Sequence, residues 1–115
     1  MSRNLAIATA YYTAVGEKRI ADIEKYLHPD VQFLGPIAKL MGKEAVLEGT
    51  KIFTTAFKSL TIRTSFSSED QALLVYDLEI PEREEKLPVA VLMTFQEGLV
   101  TKIEPFFDAR PFFKQ

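Results

Sequence analysis

The chain has no cysteine and no tryptophan, one histidine and only five glycines in 115 residues. Without cysteine there is no disulfide, no thiolate nucleophile and no Cys-ligated zinc. A single imidazole, His28, limits any Ser-His-Asp arrangement to one position and leaves no ligand spacing for a transition metal. No metal and no cofactor are therefore expected. Long apolar runs are also missing. None approaches the roughly 20 residues that span a bilayer, and the first residues lead quickly to Gly16-Glu17-Lys18-Arg19 without a signal-peptide core. The expectation is a cytoplasmic protein with no membrane partner. Nor is there an excess of positive charge: 14 Lys and Arg face 16 Asp and Glu, for a net charge of −2. A nucleic-acid partner, which needs a basic face, is not expected.

What is present is apolar surface. Hydrophobic residues make up 47% of the chain, with nine Phe and four Tyr. One domain spanning residues 1–115 is expected, long enough to bury roughly two-thirds of its unfolded surface without staples.

Helical spacing dominates the first half. Ser2 is a candidate N-cap, and Leu5, Ala8, Tyr12 and Val15 form one row beside Ile7, Tyr11 and Ala14. Gly16 is the stop. A second, shorter helix is expected with Ile20, Ile23 and Leu27 inward, ended by Pro29. Val31 to Leu34 reads as a short strand closed by Gly35-Pro36, and Ile37 to Met41 as a loop or lid. A third helix opens at Gly42-Lys43-Glu44-Ala45, with Val46, Thr50, Phe53 and Phe57 on one face.

After Ser59 the period switches to two. Leu60, Ile62, Thr64 and Phe66 alternate with polar residues, and strands follow over Ala72–Ile80, Leu87–Phe95 and Leu99–Phe107. Short connections imply antiparallel neighbours. Segregated helices beside a meander predict an α+β domain with helices on one face of a curved sheet.

Several segments resemble one family. Tyr11-Tyr12-Thr13-Ala14-Val15, with Tyr26-Leu27-His28-Pro29-Asp30-Val31, is similar to the opening of the SnoaL-like and ketosteroid-isomerase-like superfamily, which has the fold of nuclear transport factor two. Gly35-Pro36 before Gly42-Lys43-Glu44-Ala45-Val46 resembles its loop into the third helix. Phe95 to Ile103 resembles its last hairpin, and Phe106-Phe107-Asp108-Ala109-Arg110-Pro111 a common ending. The resemblance implies a cone: a curved antiparallel sheet wrapped over three N-terminal helices, cystatin-like in class, around a deep apolar pocket. It also implies a homodimer through the convex sheet face.

The resemblance and period-two parity together nominate the site. Thr101, Ile103, Pro105 and Phe107 on the last strand and Val89, Val91 and Met93 on the one before it should face the pocket. Val46, Phe53, Phe57, Val75, Val91, Met93, Ile103 and Phe107 are the expected ligand-binding walls. On the Ala72–Ile80 strand the resemblance sets Leu73, Val75, Asp77 and Glu79 inward. Leu74, Tyr76, Leu78 and Ile80 form an equally apolar set, so both parities stay open.

The candidate chemistry is Asp77 with Tyr11. A carboxyl facing an apolar pocket can serve as a general acid or base, and a phenol can donate to a developing oxyanion. The bland alternative has Asp77 facing solvent or a neighbouring cation. By resemblance Tyr11 stands at the ketosteroid isomerase tyrosine, whereas Gly35 and Val91 stand where that enzyme has its two acids. The protonated acid that ketosteroid isomerase keeps in its apolar oxyanion site thus has no counterpart in this sequence. His28 is expected to end a helix rather than to act. Two functions follow as expectations: a cofactor-free isomerase, cyclase or dehydratase acting on a small apolar carbonyl or hydroxyl compound, or a non-catalytic ligand-binding or dimerisation module. Phe112 and Phe113 are expected to cover apolar surface.

Overall fold

The structure, a computed structural model, describes residues 3–110. The Ser2 cap and the placement of Phe112 and Phe113 lie outside the described residues.

Helix α1 (Arg3–Gly16) follows from its two apolar rows, which bury Ala8, Tyr11, Tyr12, Ala14 and Val15. The expected second helix is instead two short 3₁₀ turns, Ile20–Asp22 and Glu24–Tyr26. Leu27 already belongs to the next strand, and Pro29 lies within that strand rather than ending a helix. Ile23 is buried at the joint between the two turns. Strand β1 (Leu27–Leu34) is therefore twice the expected length.

The segment expected to be a loop or lid contains a strand, β2 (Lys39–Met41), paired antiparallel to β1 through Phe33 and Leu40. Helix α2 (Lys43–Phe53) follows. Phe57 lies beyond its end, buried, with Lys18 Nζ donating to the Phe57 carbonyl at 2.8 Å and sitting 4.9 Å from its ring. This clip fastens the end of α1 to the segment after α2.

Four long strands complete the chain: β3 (Ser59–Ser68), β4 (Gln71–Glu79), β5 (Leu87–Gln96) and β6 (Leu99–Phe106). They run antiparallel in sequence order. The β5–β6 hairpin turns on Glu97 (φ 53°) and Gly98 (φ 84°), and two successive positive φ values are what a tight twisted hairpin requires. The sheet order is β2-β1-β6-β5-β4-β3. β1 lies parallel to β6, so the sheet is mixed rather than wholly antiparallel. It is curved and open, and the helices pack on its inner face, α1 against β3 and β4, α2 against β1 and β2. The fold is the α+β cone of nuclear transport factor two.

Two bulges decide which side chains face inward. In β3, Ile62 pairs with Tyr76 but Thr64 pairs with Val75, which leaves Arg63 as an extra residue. Parity flips there. Leu60 and Ile62 pack on the core, as expected, but Phe66 turns outward and is 61% exposed. In β6 the register shifts between Val100 and Lys102, so Thr101 is the extra residue. Its hydroxyl donates to the Thr94 carbonyl at 3.2 Å instead of facing the pocket.

Candidate functional site

A cavity of about 440 Å³ opens between the inner face of the sheet and the two α-helices. This lies within the roughly 300–1,000 Å³ usual for small-molecule sites. Its walls come from α1, the 35–40 segment, the C-terminal half of α2, and the inward residues of β4, β5 and β6. Among the described residues, none that lines it carries a charged side chain. The mouth is apolar too: Ile37 and Ile52 line it and are 47% and 64% exposed.

The closed end is aromatic and hydroxylic. Tyr11, Tyr12 and Tyr76 all line the cavity and are all buried. Tyr12 lies 5.1 Å from Tyr11 edge-on and 5.1 Å from Tyr76 in a tilted stack. Such ring pairs contribute roughly 0.5–1.5 kcal/mol beyond their burial. Thr50 lines the same cavity beside these rings. Thr50 itself donates to the Val46 carbonyl at 2.8 Å. Burial is the main cause that pushes all three phenols above their ordinary pKa of 10.0. The Thr50 hydroxyl partly offsets this at Tyr11, and Tyr12 does so at Tyr76. All three are therefore neutral near pH 7 and can donate and accept hydrogen bonds.

Gly49 sets the shape of one wall. It lies on α2 facing Leu40, and a Cβ built there would sit 2.4 Å from Leu40 Cδ1. Only a glycine lets the β2 side chain lie this close to the helix.

The structure sorts the residues expected from the sequence into three groups. Tyr11, Phe53 and Phe107 line the cavity. Val46, Phe57, Val91, Met93 and Ile103 are buried in the core on the same side of the sheet, but they do not line the cavity. Their apolar character serves packing. Val75 and Asp77 lie on the opposite face, because the inward set of β4 is Ala72, Leu74, Tyr76 and Leu78. Asp77 faces Arg63 across the sheet at 3.7 Å. Glu79, expected inward, accepts from the Ser59 hydroxyl at 3.0 Å and lies 3.5 Å from Lys58. The expected pair of Asp77 with Tyr11 is thus not assembled.

His28 accepts a hydrogen bond from the Asp30 N–H at its Nδ1, 3.0 Å away, and so shapes the start of β1. Among the described residues no three acidic or histidine side chains gather as a metal site would need. No helix among them is long and apolar enough to cross a membrane. The lining residues that sequence reasoning missed include Tyr76, Tyr12 as a wall, Leu40 and Thr50. Tyr76 is visible in the sequence as a large aromatic at the alternate parity of β4.

Several solved structures share this architecture. A protein from Kribbella flavida superimposes with a TM-score of 0.86 at 23% identity, covering 94% of this chain and 88% of that one. An NTF2-like protein of unknown function from Cytophaga hutchinsonii gives 0.81 at 20% identity, covering 94% and 92%. A steroid delta-isomerase from Pseudomonas aeruginosa gives 0.80 at 18% identity, covering 94% and 81%. No curated protein sequence matches the chain. The model of the SnoaL-like domain matches residues 8–103, from the middle of α1 into β6, and the chain belongs to that family.

Proposed function

We propose that this protein binds a small, apolar, uncharged molecule in the cavity between α1, α2 and the sheet. One observation carries the reading: a cavity of about 440 Å³ whose described lining holds no charged side chain. An ion moved into such a site would lose its hydration without gaining a counter-charge. A neutral apolar ligand gains by leaving water. Of the two functions expected from the sequence, this supports the non-catalytic binding module. An isomerase, cyclase or dehydratase needs an acid or base within reach of its substrate. The candidate acid, Asp77, lies on the outer face of the sheet with Arg63, and the hydroxyls of the described lining offer hydrogen bonds with no carboxylate or imidazole among them.

Equilibrium binding of a neutral polycyclic hydrocarbon, followed by fluorescence, tests the reading. Saturable one-site binding is expected, competed by other neutral apolar molecules. Absence of saturation with every such compound would overturn it.

We propose in addition that two copies associate through the outer sheet face. Phe66, Leu73 and Leu92 lie in one cross-strand row and Val75, Ala90 and Phe106 in the next. Phe66 and Phe106 are 61% and 59% exposed, which makes an apolar patch among the described residues.

A further inference from the structure

We propose that Lys18 is a positioning residue for the cavity. Its ammonium straps the end of α1 to the segment after α2 and sets how often that side of the mouth opens to let a ligand pass. What concerns the ligand rests on the reading of the cavity as a small-molecule site.

Helix α1 ends with the Arg19 N–H donating to the Ala14 carbonyl at 2.8 Å and the Lys18 N–H donating to the Val15 carbonyl at 2.9 Å. This pair of bonds is a helix C-cap that puts Lys18 in the left-handed region, with φ 62°. Glycine takes that conformation at least cost, because it has no Cβ. What favours lysine is the reach of its side chain. Nζ donates to the Phe57 carbonyl at 2.8 Å and lies 4.9 Å from the centre of the Phe57 ring.

Phe57 belongs to the cavity's edge. The two helices rest on different strands, α1 on β3 and β4 and α2 on β1 and β2, and the cavity lies between them. Thr55, which is exposed, and Ala56 line it just before Phe57. The Phe57 ring also lies 5.1 Å from that of Phe53, another lining residue. On the far side the Lys58 N–H donates to the Glu79 carbonyl at 2.6 Å, which ties the chain to the sheet. The short connection from α2 to β3 is thus fixed at both ends, and Lys18 holds it from the side. Lys18 is exposed and does not itself line the cavity. Removing its ammonium changes how often the wall opens locally, and not what the closed wall touches.

The test compares wild type with Lys18→Met, Lys18→Arg and Lys18→Gly. Methionine keeps an apolar stem without the charge, arginine keeps a cation and donor, and glycine also relieves the left-handed backbone. Naphthalene association and dissociation rates are measured by stopped-flow fluorescence, amide hydrogen exchange by NMR and stability by urea denaturation. In Lys18→Met both rates are expected to rise together by about fivefold, the factor set by one net hydrogen bond, with Kd unchanged. The amides of Thr54, Thr55 and Ala56 should exchange faster by a similar factor. Lys18→Arg should behave as wild type. Lys18→Gly should show the same faster rates and exchange as Lys18→Met while being more stable than it, so that global stability does not account for them. Wild-type rates and exchange in both Lys18→Met and Lys18→Gly overturn the proposal. A rise in dissociation alone overturns it too, as does faster exchange that disappears in Lys18→Gly. Failure of naphthalene to bind wild type would overturn the reading of the cavity, and exchange at Thr54, Thr55 and Ala56 would still decide whether Lys18 is a strap.

Discussion

Tyr76 and Asp77 are consecutive in β4 and lie on opposite faces of the sheet. Tyr76 is 3% exposed and stacks on Tyr12 in the cavity wall, whereas Asp77 stands opposite Arg63 on the outer face at 3.7 Å. One residue of register thus separates a tyrosine of the cavity wall from the acid that the sequence favours. Asp77→Asn is expected to leave ligand affinity unchanged and to lower stability by no more than about 1 kcal/mol, the upper range for a surface pair. Parallel binding and urea denaturation measurements check both halves. A marked loss of affinity at unchanged stability would return Asp77 to the site.

The buried phenols predict an alkaline loss of stability. Burial raises the pKa of Tyr11, Tyr12 and Tyr76 above 10.0 in the folded chain. The folded state therefore holds these protons more tightly than the unfolded chain. Their contribution is complete below pH 10 and is lost as pH rises beyond it towards the folded values. Urea melts through this range should show stability falling, and Tyr76→Phe should make the fall shallower. In a Tyr26→Phe background, which leaves only the three buried phenols, tyrosinate absorbance should appear together with unfolding rather than before it.

Gly49 and Leu40 should be energetically coupled. Gly49→Ala gains helix propensity of about 1 kcal/mol, but its methyl group meets Leu40 Cδ1 at 2.4 Å. In the wild-type background the two effects oppose each other, and the net change is expected to stay within about 1 kcal/mol. Combined with Leu40→Ala the clash disappears, and Gly49→Ala should then stabilise. A double-mutant cycle by denaturation measures the difference, and additive effects would contradict this packing.

Self-association has a direct check. Sedimentation equilibrium is expected to find a dimer, and Phe66→Glu with Phe106→Glu should shift it to monomer while naphthalene binding persists. A monomeric wild-type chain at tens of micromolar would remove the proposed interface.

The order of elements is legible because period 3.6 gives way to period 2 after Ser59, a change strong enough to survive in a single sequence. The site is less legible, for three local reasons. In β4 both parities are apolar, Leu73 and Val75 against Leu74, Tyr76 and Leu78, so alternation alone does not orient Asp77. The bulges at Arg63 and Thr101 reverse parity partway along β3 and β6, and neither residue type announces a bulge. β2 has three residues, too few for any period. Nor does alternation separate a core residue from a cavity wall. Ile103 and Pro105 point the same way from β6, yet only Pro105 reaches the cavity.

The central claim is that the cavity binds its ligand with no ionising group. The most direct measurement is the affinity for naphthalene, a compound that does not titrate, from about pH 5 to about pH 9, below the range in which the buried phenols lose protons. A flat profile is the expected result. A slope in that range, with the protein still folded by circular dichroism, would show a titrating group in contact with the ligand and contradict the claim.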